Sequence, residues 1–559
     1  MIRMGIWDGH DAGVAVVDES RGSVLYAANE ERFTRRKLDV GFPSESFHEA
    51  IEKTGAPDEV VISTTDPAKL LSRFLPLAAR KYYAFRRHIE TPTMLDDFKR
   101  RFKSGMTLMA PFRGASALTA FITSLRAGLG DVPIRTIDHH RAHLAAAFFT
   151  SGYEEAAVLS LDGVGDGSSG AVAVGRPDGL KIVARFSGRE SLGLIYEEAT
   201  RLLRMRELED EGKVMALAAY ADLNGADREA LYDLVTVEQK DHELRLHAAP
   251  HMERRLRETL WRFGPERFAA AVQALVETRA VEIAQAALRM TGQARLAVAG
   301  GLFANVRVNR LLREQLELDG LWIFPHMGDG GLALGAALRA PTRLHPFLGT
   351  TLNAARLASR ASGRGLHVKE SSPDEIAQFI AEGKTIAWVC GQMEYGPRAL
   401  GARSILARPD DLSIRNRLNL AQKRRVFYQP FCPAMTRKEA ERSLAGFDGR
   451  AERWMTTLYG TTAVGSENLA GVIGPDASCR PQVIDPAGFN GARLEPEEEK
   501  FLALLQAVGK LIGVEALLNT SFNPHGQPIV RTSPDALDAF LETGLDALVA
   551  DGITLIRKC

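Results

Sequence analysis

"MGIWDGHDAGVAVVDESRGSVLYAANEE" (residues 4–31) and "VLSLDGVGDGSSGAVAVGRPDGLKIVARF" (residues 158–186) are the two stretches that decide the fold. Each is an apolar strand ending in Asp-Gly (Asp8-Gly9, Asp162-Gly163), then a polar glycine-containing turn, a β-branched strand, a turn and a third strand. A unit of this kind appearing twice is an internal duplication. With helical segments after each copy, it predicts a layered α/β domain of two similar lobes whose first turns face a cleft. Such turns suit charged ligands, because glycine-freed amides approach phosphate and aspartate holds metal.

Two further strand ends have the same character. "LAVAGGLFANVRVNRLLRE" (296–314) is a buried strand, the Gly300-Gly301 turn and an amphipathic helix, while "IFPHMGDGGLALGAAL" (323–338) passes from strand through Gly328, Asp329, Gly330 and Gly331 into a small-residue helix. A glycine turn opening a helix offers free amides to a nucleotide. Four such strand ends predict a duplicated actin-like (ASKHA) ATPase-type domain over residues 1–345. A linker is expected over 346–367, and a second α/β domain over 368–559.

The totals narrow the class. At 559 residues the chain exceeds one ordinary core. With 70 Lys+Arg against 70 Asp+Glu there is no overall field to draw nucleic acid or membrane. No apolar run nears the roughly 18 residues of a membrane span, and "MIRMGIWDGHD" does not read as a secretory signal. The four cysteines (Cys390, Cys432, Cys479, Cys559) are widely spaced and suit free thiols in a reducing, cytoplasmic setting.

"IDHHRAHLAAAFFTSG" (137–152) places His139 and His143 four residues apart, on one helical face. With Asp162 and Asp329 as partners, two imidazoles and a carboxylate suit iron, manganese or zinc, with positions left open for a ligand.

These motifs resemble, in order along the chain, the carbamoyltransferases typified by NodU and by the cephem and tobramycin enzymes. The residues carrying the likeness are "GHDAG" (9–13), "EERFTRRK" (30–37), "HHRAH" (139–143), "LDGVGDG" (161–167), "SLGLIYEEAT" (191–200), "EGKVMALAAYA" (211–221), "GGLFANV" (300–306) and "GDGG" (328–331). The likeness implies His139, His143 and Asp329 as metal ligands, with Asp162 a fourth or a group behind them, and iron(II) as the preferred ion. It implies that His10 and Lys37 approach the carbamoyl end of a bound nucleotide. Gly165, Asp166, Lys213, Gly300, Gly301 and Asn305 would line its ribose and base.

A second pattern begins near Val368. Ser372 caps "SPDEIAQFIAEG", with Asp374 and Glu375 in its first turn. In "QMEYGPRALGARSILARP" (392–409) Arg398 and Arg403 flank a glycine turn, suited to forked bonds with phosphate. "KRRVFYQPF" adds Lys423 and Arg425, "CRPQ" adds Arg480, and "LLNTSFNPHGQPIV" offers Asn519, Thr520, Ser521 and Asn523. Together they resemble the YrdC-like module, whose Lys-x-Arg and Ser-x-Asn hold ATP and a carbamate-like acid. The likeness leaves out roughly residues 45 to 130, and within it Gln429, Gly474 and Pro475 replace the family's Arg, His and Val, while "ALAAYA" replaces a glycine-containing "GLAxYG".

The family resemblance implies a cytoplasmic enzyme of secondary-metabolite or antibiotic biosynthesis, monomeric or homodimeric. It would make carbamoyl-adenylate from carbamoyl phosphate and ATP, with magnesium accompanying the ATP, and transfer the carbamoyl group to a hydroxyl of a small-molecule natural product. Catalysis would rest on His10, Lys37, Arg398, Lys423, Arg425, Arg480 and Ser521, and nucleotide binding in the second domain on Arg403, Asn519 and Asn523. The locally basic stretch 68–105, with Lys81, Tyr82, Tyr83, Phe85, Arg86 and Arg87, would shape the acceptor pocket. The competing readings are a tRNA threonylcarbamoyladenosine-type enzyme and a non-catalytic actin-like ATP-binding protein.

Overall fold

The computed structural model describes residues 1–63, 80–84, 130–240, 243–423, 425–449, 452–489 and 492–557. Most of the basic stretch, Phe85, Arg86 and Arg87 included, lies outside the described residues. The chain forms two compact units: Met1–Thr34 with Leu38–Leu344, and His345–Cys559 with Arg35–Lys37.

In the first unit the repeated text becomes a repeated sheet. β1 (Ile2–Trp7), β2 (Gly13–Asp18), β3 (Ser23–Asn29), β4 (Glu59–Ser63) and β5 (Ile134–Ile137) lie in the order β3-β2-β1-β4-β5. β6 (Ala156–Gly165), β7 (Ser168–Arg176) and β8 (Gly179–Ser187) recur with two later strands. After a separate hairpin, β9 (Val235–Lys240) with β10 (Glu243–Ala248), come β11 (Arg295–Ala299) and β12 (Gly320–Ile323), giving β12-β11-β6-β7-β8. In both halves the first three strands are antiparallel and the last two join in parallel. This is the duplicated actin-like architecture expected from the sequence.

The registers set where the turns fall. β1 pairs with β2 from Ile2–Asp18 to Trp7–Gly13, which leaves Asp8 to Ala12 as the connecting turn. The β6–β7 ladder is irregular between Leu161 and Gly165, so Asp162 sits where regular pairing stops. The helix His139–Ser151 follows β5; Asp138 caps it by accepting from Arg141 N, and Gly152 ends it at φ 76°. The helix Leu332–Ala337, after β12, packs onto β1 so closely that a Cβ on Gly5 would lie 1.8 Å from Ala333 O. That contact brings the last glycine turn of one half against the first turn of the other.

The second unit is an eight-stranded mixed sheet in the order 366–370, 553–557, 547–550, 386–389, 403–407, 516–521, 432–436, 482–484. Helices cover both faces. Ile386 and Trp388 meet Ile376, Ile380, Phe501 and Leu504, whereas the alternate residues Ala387 and Val389 face the cluster holding Leu357, Ala361, Leu537 and Phe540. The helix Pro373–Ala381 starts at Ser372 in a full capping box with Glu375, as its sequence predicts.

Residues 346–367 correct the expected linker. They hold the strand Phe347–Thr351, which pairs with 392–394, and the helix Ala354–Ser362, and they belong to the second unit. Among the described residues no helix is long and apolar enough to cross a membrane.

Candidate functional site

In the first unit four side chains converge. His139 and His143, one turn apart on their helix, meet Asp162 from β6 and Asp329 from the turn after β12, and one ligand atom from each lies within 4.8 Å of the others. His139 Nε2 is 3.2 Å from Asp162 Oδ2 and 3.5 Å from Asp329 Oδ1; His143 Nε2 is 3.8 and 3.6 Å from the same atoms. The imidazoles are 2 and 1 % exposed. His143 Nε2 is buried with no hydrogen-bond partner. The separations suit a common ion, since ligands about 2.1 Å from a tetrahedral centre stand about 3.4 Å apart.

The charges point the same way. Burial opposes protonation of His139, yet Asp329, then Asp162 and Asp166, raise its pKa to about 9. His143 is raised as well: burial again opposes, and the two carboxylates outweigh it. Asp162 is held well below the usual range and Asp329 below it, the imidazoles outweighing burial. Two buried carboxylates thus demand positive charge, and protons fill that role where a divalent cation does not. The donor set suits a divalent cation.

The surroundings fix this geometry. His139 N donates to Asp166 Oδ2 at 2.9 Å, and a Cβ on Gly165 would come within 2.2 Å of the His139 ring. His140 is wedged between Ser160 Oγ and Ser168 O, and burial, then the neighbouring imidazoles, push it down to about 3, so it stays neutral. Asn29, which sequence reasoning missed, donates to Asp11 O and Gly330 O and meets His326 Nε2 at 2.9 Å, bracing the two turns on either side of the cluster.

His10 joins the cluster's edge. Its Nε2 is 3.2 Å from Asp329 Oδ2, its Nδ1 is 3.3 Å from Asp11 Oδ2, and its side chain is 22 % exposed. Trp7, also missed, donates through Nε1 to His10 O at 2.6 Å and packs edge-on against His139.

The residues expected to line a nucleotide make contacts of their own here. Asp166 accepts from His139 N, and Gly165 packs against the His139 ring. Gly301 N donates to Asp162 Oδ1 at 2.7 Å, and Gly300 N to Met327 O. Asn305 caps the helix Val306–Gln315 and exchanges hydrogen bonds with Gln273. Lys213 pairs with Asp210 at 2.8 Å. Lys37 is grouped with the second unit, where its charge acts on Lys423.

In the second unit the convergence is of cations. Lys423 is 5 % exposed, and its Nζ donates to Ser521 O (2.7 Å), Asn523 O (3.0 Å) and Asn523 Oδ1 (2.6 Å), while Ser521 Oγ donates to Asn523 Oδ1. Burial, then Arg425 and Lys37, drive the Lys423 pKa well below the ordinary amine range. Arg398 is pushed down to about 9 by burial and then Arg480; Arg425 is pushed down to about 10, chiefly by burial. Arg480 directs Nε and Nη2 at Cys432 Sγ, 3.1 and 2.9 Å away. Arg398 Nε and Arg425 Nη2 are buried without a partner. No carboxylate among the described residues pairs with Arg398, Lys423, Arg425 or Arg480. Clustered, desolvated and unneutralised cations are an anion site.

Three residues act behind that surface. Arg403, expected on a phosphate, is fully buried and donates to four carbonyls: Cys390, Ala402, Thr350 and Gly391. It is a structural post, which corrects its assignment. Asn519 is likewise buried and donates to Ala399 O and Gln482 Oε1, steadying the loop that carries Arg398. Asn419, missed in the sequence, accepts from Arg425 Nε at 2.6 Å and donates to Phe427 O and Gln429 O. Its spacing, four residues before Lys423 and six before Arg425, was the available signal.

The family profile described as Carbamoyltransferase N-terminus matches residues 3–338, and the one described as Carbamoyltransferase C-terminus matches residues 377–558. The chain is similar to "Nodulation protein NolNO" of Sinorhizobium fredii, 30% identical over 98% of this chain and 79% of that one. It is 31% identical to "Nodulation protein NolO" of Bradyrhizobium diazoefficiens, over 76% of this chain and 79% of the relative. An uncharacterized Methanocaldococcus jannaschii protein matches at 27% identity over 99% of both chains.

Proposed function

The chain belongs to the carbamoyltransferase family, and on that premise we propose that it is an O-carbamoyltransferase that uses ATP and carbamoyl phosphate and acts on a hydroxylated small molecule. The observation that carries this reading is the second unit's cluster of Arg398, Lys423, Arg425 and Arg480, which lacks carboxylate partners among the described residues. Such a surface suits the crowded phosphates of two anionic substrates.

Water first converts carbamoyl phosphate to carbamate and phosphate in that pocket. A carbamate oxygen then attacks the α-phosphorus of ATP, giving carbamoyl-adenylate and pyrophosphate. Lys423, aligned by Ser521 and Asn523, and Arg425, aligned by Asn419, neutralise charge that builds on the phosphoryl oxygens. The YrdC-like likeness of this part of the sequence is consistent with that division of labour.

The carbamoyl group is delivered to the first unit and taken by an acceptor hydroxyl. A divalent ion held by His139, His143, Asp162 and Asp329 would supply Lewis-acid polarisation there. His10, which borders that set and is more exposed than its imidazoles, accepts the acceptor's proton at Nε2 while Asp11 holds Nδ1. The anhydride C–O bond breaks, AMP leaves, and the product is an O-carbamate.

Full-length protein incubated with ATP and radiolabelled carbamoyl phosphate, without acceptor, is expected to release pyrophosphate. With a panel of hydroxylated natural products it is expected to form AMP and a labelled carbamate. Failure to release pyrophosphate would remove the reading.

A further inference from the structure

Residues 80–84 are helical and belong to the locally basic stretch that the motifs quoted above do not cover. Within the first unit they are tied to the transfer site at two points. Arg80 Nε donates to Asp39 Oδ1 at 3.1 Å, and Asp39 is 4 % exposed. Asp39 O in turn accepts from Ala12 N, and its neighbour Val40 bridges to His10, so Arg80 is fastened to the turn that carries His10. Three residues along, the Tyr83 ring packs edge-to-face on the His10 imidazole, centroids 5.5 Å apart at 65°, and is itself only 8 % exposed. Tyr82 stacks edge-on behind it at 5.4 Å.

The exposures give this contact its meaning. His139 and His143 are sealed at 2 and 1 %, Asp329 at 8 % and Asp162 at 11 %, whereas His10 is 22 % exposed. Of these five groups, His10 is the one that an incoming molecule reaches first. Both His10 nitrogens face carboxylates, and one side of its ring faces Tyr83. A nucleophile that comes to His10 therefore does so beside a fixed aromatic ring. An aromatic edge-to-face pair holds both rings in a preferred orientation, and its bulk closes the space it occupies to the acceptor's skeleton.

We propose that Tyr83 is a specificity-determining residue of the transfer site, setting by size which hydroxyl- or amine-bearing acceptors reach His10, with Arg80 as the positioning residue that holds it there. The inference rests on the transfer role assigned above to the first unit. The reaction it governs is balanced: the acceptor's heteroatom bonds the carbamoyl carbon, the anhydride C–O bond breaks, AMP departs and the acceptor's proton passes to His10.

Two amine probes of different size test it in the full chain. Hydroxylamine and O-benzylhydroxylamine are supplied separately with ATP and carbamoyl phosphate, and the hydroxyurea products and pyrophosphate are quantified. Tyr83→Ala is expected to raise the kcat/KM ratio of the larger to the smaller probe by roughly tenfold, the scale of a changed pocket contact. Acceptor-free pyrophosphate release should stay within about twofold, since it reads the activation step and not the transfer to acceptor. Tyr83→Phe keeps the ring and should keep the wild-type ratio, and Arg80→Gln should shift it in the same direction as Tyr83→Ala, by less. An unchanged ratio in Tyr83→Ala and Arg80→Gln, with pyrophosphate release intact, overturns the inference alone. Absence of pyrophosphate release from the wild-type chain overturns the carbamoyl-transfer reading and this inference with it.

Discussion

The two polar clusters of this chain are built on opposite charge logic. In the first unit two carboxylates and two imidazoles face one another, and the carboxylates are so deprived of water that they raise His139 to about 9. In the second unit lysine and arginines crowd together without an acid among the described residues, and burial drives their pKa values down. One site asks for a cation and the other for an anion. In the first the carboxylates are balanced only by protons on the facing imidazoles, and in the second no carboxylate among the described residues balances the cations, whereas elsewhere the chain pairs its charges directly. Glu59, for instance, is met by Arg3, Arg135 and Arg339. Unrelieved charge in a folded interior is costly, and it marks places kept for a ligand.

The contrast is open to attack from both sides. Lys423→Ala should lower acceptor-free pyrophosphate release by about a hundred- to a thousandfold, the cost of losing a preorganised charge at a transition state. Metal content, measured by elemental analysis, should not change. Asp162→Asn should do the reverse. Transfer to acceptor is expected to fall more than about a hundredfold, since even groups that only orient a ligand cost ~10–100-fold, and bound metal should be lost. Asn419→Ala, which frees Arg425 Nε, is expected to raise the KM for carbamoyl phosphate by about tenfold, the scale of one lost charge-assisted hydrogen bond.

Proton linkage sharpens the contrast further. His139 must lose its proton to bind metal, and its raised value of about 9 means that this proton is present at neutral pH. Metal binding therefore releases protons and tightens as pH rises, by about tenfold per pH unit for each proton displaced, levelling off near pH 9. Calorimetric titration in buffers of different ionisation enthalpy measures the count. The smallest effect on ligands should come from Arg403→Met. Uncapping four carbonyls should cost about 2–4 kcal/mol of stability, read from denaturant midpoints, while the KM for carbamoyl phosphate moves less than about threefold.

How much of this was legible depended on distance along the chain. The duplicated sheet was readable because Asp8-Gly9 and Asp162-Gly163 end equivalent strands, and the repeat is local text. The histidine pair was readable because four residues make one helical turn. The role of Gly165 was not, because it comes from the approach of a ring twenty-six residues away in sequence, which no spacing rule announces. Arg403 misled for the same reason: four carbonyls from Thr350 to Ala402 cage it, and only the fold assembles them. The strand Phe347–Thr351 hid in proline- and glycine-containing text because its partner, 392–394, lies forty residues on. Non-local pairing of this kind decides whether such a segment is structure or spacer.

The most direct test is a rapid-quench experiment on full-length Asp162→Asn protein with ATP and radiolabelled carbamoyl phosphate. If the second unit makes the activated species and the first unit uses it, pyrophosphate should appear in a burst near one per chain, together with labelled carbamoyl-adenylate, and acceptor should not discharge it. A variant that yields no pyrophosphate, or one that carbamoylates acceptor as fast as the wild-type chain, would contradict the account.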